Sequence, residues 1–184
     1  MNYMVAGLVL FFGPHLVSTM PSVKAMKVRL IGAKAYKGLF ALLALAGLVL
    51  MGYGKSEMSF GHVYNPINDL RHAMGLIMWV AFFLLASAHM PGNIKRFTRH
   101  PMLWGITLWS AGHLLVNGDQ GSIMLFGSFL IYSLWAMFSG NLRGAKKATT
   151  KVPVSKDIKI AVMTLLLTII VMFSHRFLFG IGVV

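Results

Sequence analysis

The run PMLWGITLWSAGHLLVNGDQGSIMLFGSFLIYSLWAMFS, residues 101–139, decides the fold. Its only charged side chain is Asp119. Pro101 stands where a helix accepts proline, in the first turn. Apolar residues continue to about Asn117, Gly118-Asp119 makes a tight turn, and a second apolar run covers about Ser122–Ser139. A helix that crosses a bilayer needs about 20 mostly apolar residues, so this stretch predicts two spans joined by a turn. Similar runs lie at Met4–Met20, Gly38–Tyr53, Leu70–His89 and Ile160–Phe179. Residues 55–69 are polar with an Asn65-Pro66 turn signal, and Pro91-Gly92 closes the third run. The expected fold is all-α: a polytopic membrane helical bundle of about six transmembrane helices in a single domain, 1–184.

Composition agrees. Of 184 residues, 57% are apolar and 11% charged, against roughly a quarter charged in a soluble domain. That excludes a soluble enzyme domain, a disordered tail and a DNA-binding module. The first run has no charged residue in positions 1–10, so it reads as a retained helix and not a signal peptide. The absence of cysteine excludes disulfides, zinc-thiolate sites and cysteine nucleophiles.

The net charge of +13 reflects 17 Lys and Arg against four acids, Glu57, Asp69, Asp119 and Asp157. Loops 21–37, 91–100 and 140–159 hold five, three and six basic residues, whereas the opposite side has Lys55, Arg71 and Arg176. Such asymmetry marks the cytoplasmic side. It predicts both termini outside, which in a Gram-negative bacterium is the periplasmic side, with some contact to anionic lipid. Three short, dispersed basic loops do not make a nucleic-acid surface.

With so few acids, carboxylate chemistry and carboxylate proton relays have almost no residues to use. Histidine remains: His15, His62, His72, His89, His100, His113 and His175. Six lie in or beside an apolar run, where ionisable groups are costly and mark function. Neutral imidazole is well suited to ligate a haem iron or another metal. Helical spacing gathers Gly7, Phe11, His15 and Ser18 on one stripe. His72, Gly75, Trp79, Phe82, Ala86 and His89 form a second, and Gly105, Trp109, Gly112, His113 and Val116 a third. Glycine beside histidine permits close approach of a flat macrocycle or of another helix, and ordinary helix packing explains such stripes equally well. The scattered methionines read as packing residues.

LFFGPH (Leu10–His15), GAKAYKGLF (Gly32–Phe40), TRHPMLWG (Thr98–Gly105) and AGHLLVNGD (Ala111–Asp119) resemble, in order and over nearly the whole chain, the NnrU family. That family comprises bacterial inner-membrane proteins linked to denitrification, in particular to nitric oxide and nitrite reduction, and is similar to the plant cis-zeta-carotene isomerase, which uses haem b. The resemblance implies haem b held by His15 and His113, and Trp109 and Gly112, on the stripe of His113, would line it. It also implies functional roles for Arg99 and His100 in the R-H-P element. Asn117, in the turn, would cap the fourth span or hydrogen-bond a ligand edge.

Depth gives a different pairing. At 1.5 Å per residue His15 lies about 18 Å, and His113 about 6 Å, below the outer surface. By depth His113 pairs with His72 or His175, and His15 with His89 or His100. The pair His15/His113 and the pair His72/His113 therefore both stand, beside a two-haem arrangement of His72/His113 and His89/His100. The expected function is a redox or assembly partner of nitrogen-oxide respiratory enzymes. The alternatives are a haem-dependent isomerase of a lipid-soluble polyene and a cofactor-free structural partner. TRHPMLWG also resembles the R-H-P element of membrane methyltransferases, but no glutamate follows Glu57, which argues against that chemistry.

Overall fold

A computed structural model describes residues 1–59 and 61–180. Residue 60, inside the expected polar loop 55–69, and residues 181–184, at the end of the expected domain, lie outside the described residues. The described chain is helical: α1 (Asn2–Ser18), α2 (Pro21–Ile31), α3 (Ala33–Ser56), α4 (Met74–His89), α5 (Pro101–Val116), α6 (Gln120–Leu142) and α7 (Val154–Phe179), with 3-10 turns at Asn68–Ala73 and Asn93–Arg96. The all-α expectation holds.

Four segments are long and apolar enough to cross a membrane: α3, the 3-10 turn with α4 (Asn68–His89), α6 and α7. Joined, α1 and α2 also pass, but they are bent by 102°. Among the described residues there are thus four or five candidate spans, where six were expected. The shortfall is one of length. At 1.5 Å per residue the 17 residues of α1 and the 16 of α5 reach about 25 Å, short of a hydrocarbon core of about 30 Å. Apolar side chains such as Leu42, Leu45 and Val49 on α3, and Leu166, Ile170 and Phe173 on α7, are exposed. A surface of that kind suits lipid and not water.

The basic stretch 21–37 is not a loop. Pro21 starts α2, Gly32 ends it with φ 83°, and α3 begins at once. Lys24, Lys27 and Arg29 therefore lie on a helix with no buried residue. Only glycine adopts that positive φ readily, so Gly32 lets two helices abut. At the C-terminal end too a helix begins earlier than its apolar run. Pro153 caps α7, so Lys156, Asp157 and Lys159 are helical, and the loop after α6 shortens to residues 143–153.

The chain divides into two compact units, Met1–Tyr64 with Gly118–Ser128, and Asn65–Asn117 with Phe129–Val184. In the first, α1 packs on α3 through glycine. A Cβ on Gly7 would come within 2.7 Å of the Met51 amide nitrogen, and one on Gly47 within 2.7 Å of the Phe11 nitrogen. The two backbones touch there because no side chain intervenes. The span-one stripe is thus partly a packing seam, and Met4 and Met51 are its buried plugs.

In the second unit α4 is the central element, packed on α5 and α7. Gly105 abuts the Ala81 carbonyl, and a Cβ there would meet it at 2.7 Å. The Trp79 indole donates to the Ala161 carbonyl at 3.0 Å, tying α4 to α7. Thr107 and Ser133 share a hydroxyl hydrogen bond of 2.8 Å between α5 and the second half of α6. In a medium without water such polar links satisfy groups that would otherwise be costly.

Candidate functional site

His15 and His113 share one local arrangement. His15 sits on α1, and its Nδ1–H donates to the Phe11 carbonyl at 2.6 Å. His113 sits on α5, and its Nδ1–H donates to the Trp109 carbonyl at 2.8 Å. Both carbonyls lie four residues back, one turn down the helix. Since a carbonyl only accepts, each contact fixes the proton on Nδ1 and the basic lone pair on Nε2. That is the tautomer in which a histidine ligates metal through Nε2, with its other nitrogen anchored. Both rings are half-buried.

The surroundings differ. The His15 ring stacks on Phe11, centroids 4.2 Å apart and planes 22° apart, and meets Phe40 of α3 at 4.8 Å. Its neighbours Pro14 and Phe40 line a cavity of about 410 Å³ with Gly13, Val17 and other apolar residues and with Lys27 and Tyr36, though the His15 ring is not itself part of the lining. The Tyr36 hydroxyl is buried and has no hydrogen-bond partner among the described residues. An orphaned buried hydroxyl is expensive, and here it lies by an apolar cavity with one cation. An amphiphilic ligand with an acidic edge suits those residues.

His113 lies 5.4 Å from the Trp109 ring, which meets Phe129 edge-on at 5.3 Å and 89°. Gly112 is buried. A Cβ there would lie 3.1 Å from the Met78 Cε, 3.2 Å from Ile77 Cγ2 and 3.3 Å from Met74 Cε, so α4 side chains cover it. His72 is exposed on the 3-10 turn before α4, and His89 is exposed at the end of α4. Asn117 donates from Nδ2 to the His113 carbonyl at 2.9 Å, closing the end of α5. Arg99 and His100 both donate to Asn141 Oδ1, at 3.2 and 3.0 Å. His15 belongs to the first unit, and Trp109, Gly112, His113, His72, Arg99, His100 and Asn117 to the second.

Two polar clusters were missed from sequence. Asp119, 8% exposed, caps α6 by accepting from the Ser122 amide at 2.9 Å and the Ser122 hydroxyl at 2.5 Å. It also pairs with Lys55, whose ammonium reaches Ser122 Oγ at 2.9 Å. Burial pushes the Asp119 carboxyl up, but the donors Lys55 and Ser122 outweigh it and hold the group below its usual range. The second cluster centres on Asn93. It donates to Asp157 from its amide, 2.7 Å, and from Nδ2, 2.6 Å, and clasps the Val152 backbone at 2.8 and 3.1 Å. The lone acid in a basic loop was the available signal for Asp157.

A multi-helix membrane protein with anchored histidines on apolar helices is the class these features define. The family described as NnrU protein matches residues 3–183, nearly the full length, and the chain belongs to that family. No curated protein and no solved structure gives a significant match.

Proposed function

We propose that this is a haem b-binding protein of the bacterial inner membrane that supports nitric oxide and nitrite reduction as a redox or assembly partner. One observation carries the reading: His15 and His113 each hold Nδ1 on a backbone carbonyl, leaving Nε2 as the ligating nitrogen. Haem would supply a redox-active iron. The chain's own residues would orient the imidazoles through Phe11 and Trp109, exclude water with Phe40 and Phe129, and offer Lys27 and the Tyr36 hydroxyl to an acidic edge. On the basic-residue asymmetry both termini would face the periplasm, an orientation that requires α1 and α5 to cross as well, as short spans.

The test is the spectrum of purified protein from a haem-replete host, oxidised and dithionite-reduced. A Soret band is expected, lost or shifted in His15→Ala and in His113→Ala. Full haem retention in both variants would overturn the ligand assignment, and a colourless wild type would overturn the function. Terminal fusions to alkaline phosphatase should be active and fusions to GFP dark, and the reverse would refute the orientation.

A second reading, a haem-dependent isomerase of a lipid-soluble polyene, is favoured by the apolar cavity beside His15. Product analysis after co-expression with a cis-carotene tests it.

A further inference from the structure

A second cavity, of about 490 Å³, opens in the second unit between residues 88–103 and 146–148. Its lining includes Lys95, Arg99, Lys146 and Lys147, with His89 and His100 beside them. Among the described residues none of the four cations takes part in an ion pair. The one acid of this region, Asp157, is held by Asn93 through two hydrogen bonds. The cavity thus concentrates four positive charges from two separate segments with no counter-charge of its own.

The walls are fixed before any ligand arrives. The Ala148 amide donates to the Lys95 carbonyl at 2.9 Å, joining the two segments. Asn93 clasps Val152 from both sides. Arg99 and His100 share Asn141. The first turn of α5 opens here with Pro101, Met102 and Leu103 in the lining and no side-chain cap, so the positive end of a helix adds to the field. With the backbone pinned in this way, the ordering cost of binding is confined to the side chains themselves. Four charges call for a group carrying more than a single carboxylate can offer, and guanidinium matches the oxygens of phosphate.

We propose that this cavity binds a phosphate ester, its charge held by Lys95, Arg99, Lys146 and Lys147. The ester is either the headgroup of an anionic phospholipid or a soluble phosphate compound. The site stands apart from the haem reading and does not depend on it.

Full-length protein in nanodiscs tests this in two arms. The first compares phosphatidylglycerol with phosphatidylcholine discs, reading bound lipid by native mass spectrometry. The second titrates glycerol 3-phosphate and inorganic pyrophosphate into phosphatidylcholine discs by calorimetry. Wild type should retain phosphatidylglycerol selectively if the source is lipid, or bind the soluble compounds if it is not. Lys146 and Lys147 are exposed, so K146Q/K147Q should fold, and its binding should weaken roughly thirtyfold, at about 1 kcal/mol for each surface cation. The control K24Q/R29Q, at exposed positions of α2, should stay within about threefold, since it alters only diffuse surface charge. Arg99→Gln supplies a second variant from the opposite wall. Binding in neither arm, unchanged binding in both cavity variants, or an equal loss in the α2 control would overturn the proposal.

Discussion

The glycine seam between α1 and α3 gives a quantitative test of the packing. Adding one methyl group as Gly47→Ala places a Cβ 2.7 Å from the Phe11 nitrogen, 2.9 Å from the Gly7 carbonyl oxygen and 2.9 Å from the Phe11 Cβ. Relaxed carbon contacts sit near 3.5–4.0 Å, so the helices must part by most of an ångström. The first two neighbours are backbone and cannot swing aside. Overpacking of this kind costs about 1–3 kcal/mol, and alanine returns about 0.5–1 kcal/mol of helix preference over glycine. The net expectation is a loss of up to about 2.5 kcal/mol. Gly38 and Gly52 lie on the same helix, and an added Cβ on either meets nothing within 4 Å. Gly38→Ala and Gly52→Ala should therefore be neutral or slightly stabilising. Thermal melting in a mild detergent, followed by helical circular dichroism, ranks the three variants. If Gly47→Ala melts with or above Gly52→Ala, the close approach of α1 and α3 is wrong.

Asp119→Asn should cost about 1–3 kcal/mol by weakening the α6 cap and the bond to Lys55, with the ion-pair share reduced because the Lys55 side chain is 30% exposed. Because the folded Asp119 titrates below its usual range, its stabilisation is complete above pH of about 4 and is lost as pH falls further. Melting curves of wild type should drop in that acid window, and those of the variant should drop less. Asn93→Ala removes three side-chain hydrogen bonds and should cost about 2–3 kcal/mol. Limited proteolysis should then cut within residues 144–152, and resistance equal to wild type would refute the clasp. Tyr36→Phe deletes a buried orphan hydroxyl, so ligand-free protein should gain about 1 kcal/mol while haem or lipid recovered per chain falls. No change in either quantity would detach Tyr36 from the cavity's function.

What the sequence made legible followed from short-range periodicity. Apolar runs located the six long helices. The four-residue spacing of Phe11 with His15, and of Trp109 with His113, is the spacing that brings each imidazole onto a carbonyl one turn back. Relations across many residues were not legible. Asp119 looked like a turn residue, and its partner Lys55 looked like an isolated outer charge, because nothing local couples positions 64 apart. Asn93 and Asp157 are equally distant. The α2 helix was misread because its basic residues outweighed better evidence, Pro21 at its start and Gly32 at its end, which are the usual helix boundary signals. Glycine on the histidine stripes was ambiguous in principle. Gly7 and Gly112 serve helix contact in this structure, through Met51 for one and Met74, Ile77 and Met78 for the other.

The contact between Gly7 and Gly47 also bears on how the chain enters a bilayer. Helix α1 reaches about 25 Å, too short to span comfortably alone, and it turns by 102° into α2 at its end. Helix α3 has 24 residues and can insert by itself. The backbone-to-backbone seam then gives the short helix a partner in place of the lipid it cannot fully reach. During synthesis α1 emerges first, yet it becomes stable only after α3 has followed it out of the ribosome. Entry of the two helices as a hairpin is the expected route, and a bulky residue at position 7 or 47 should then lower insertion efficiency before any cofactor is bound.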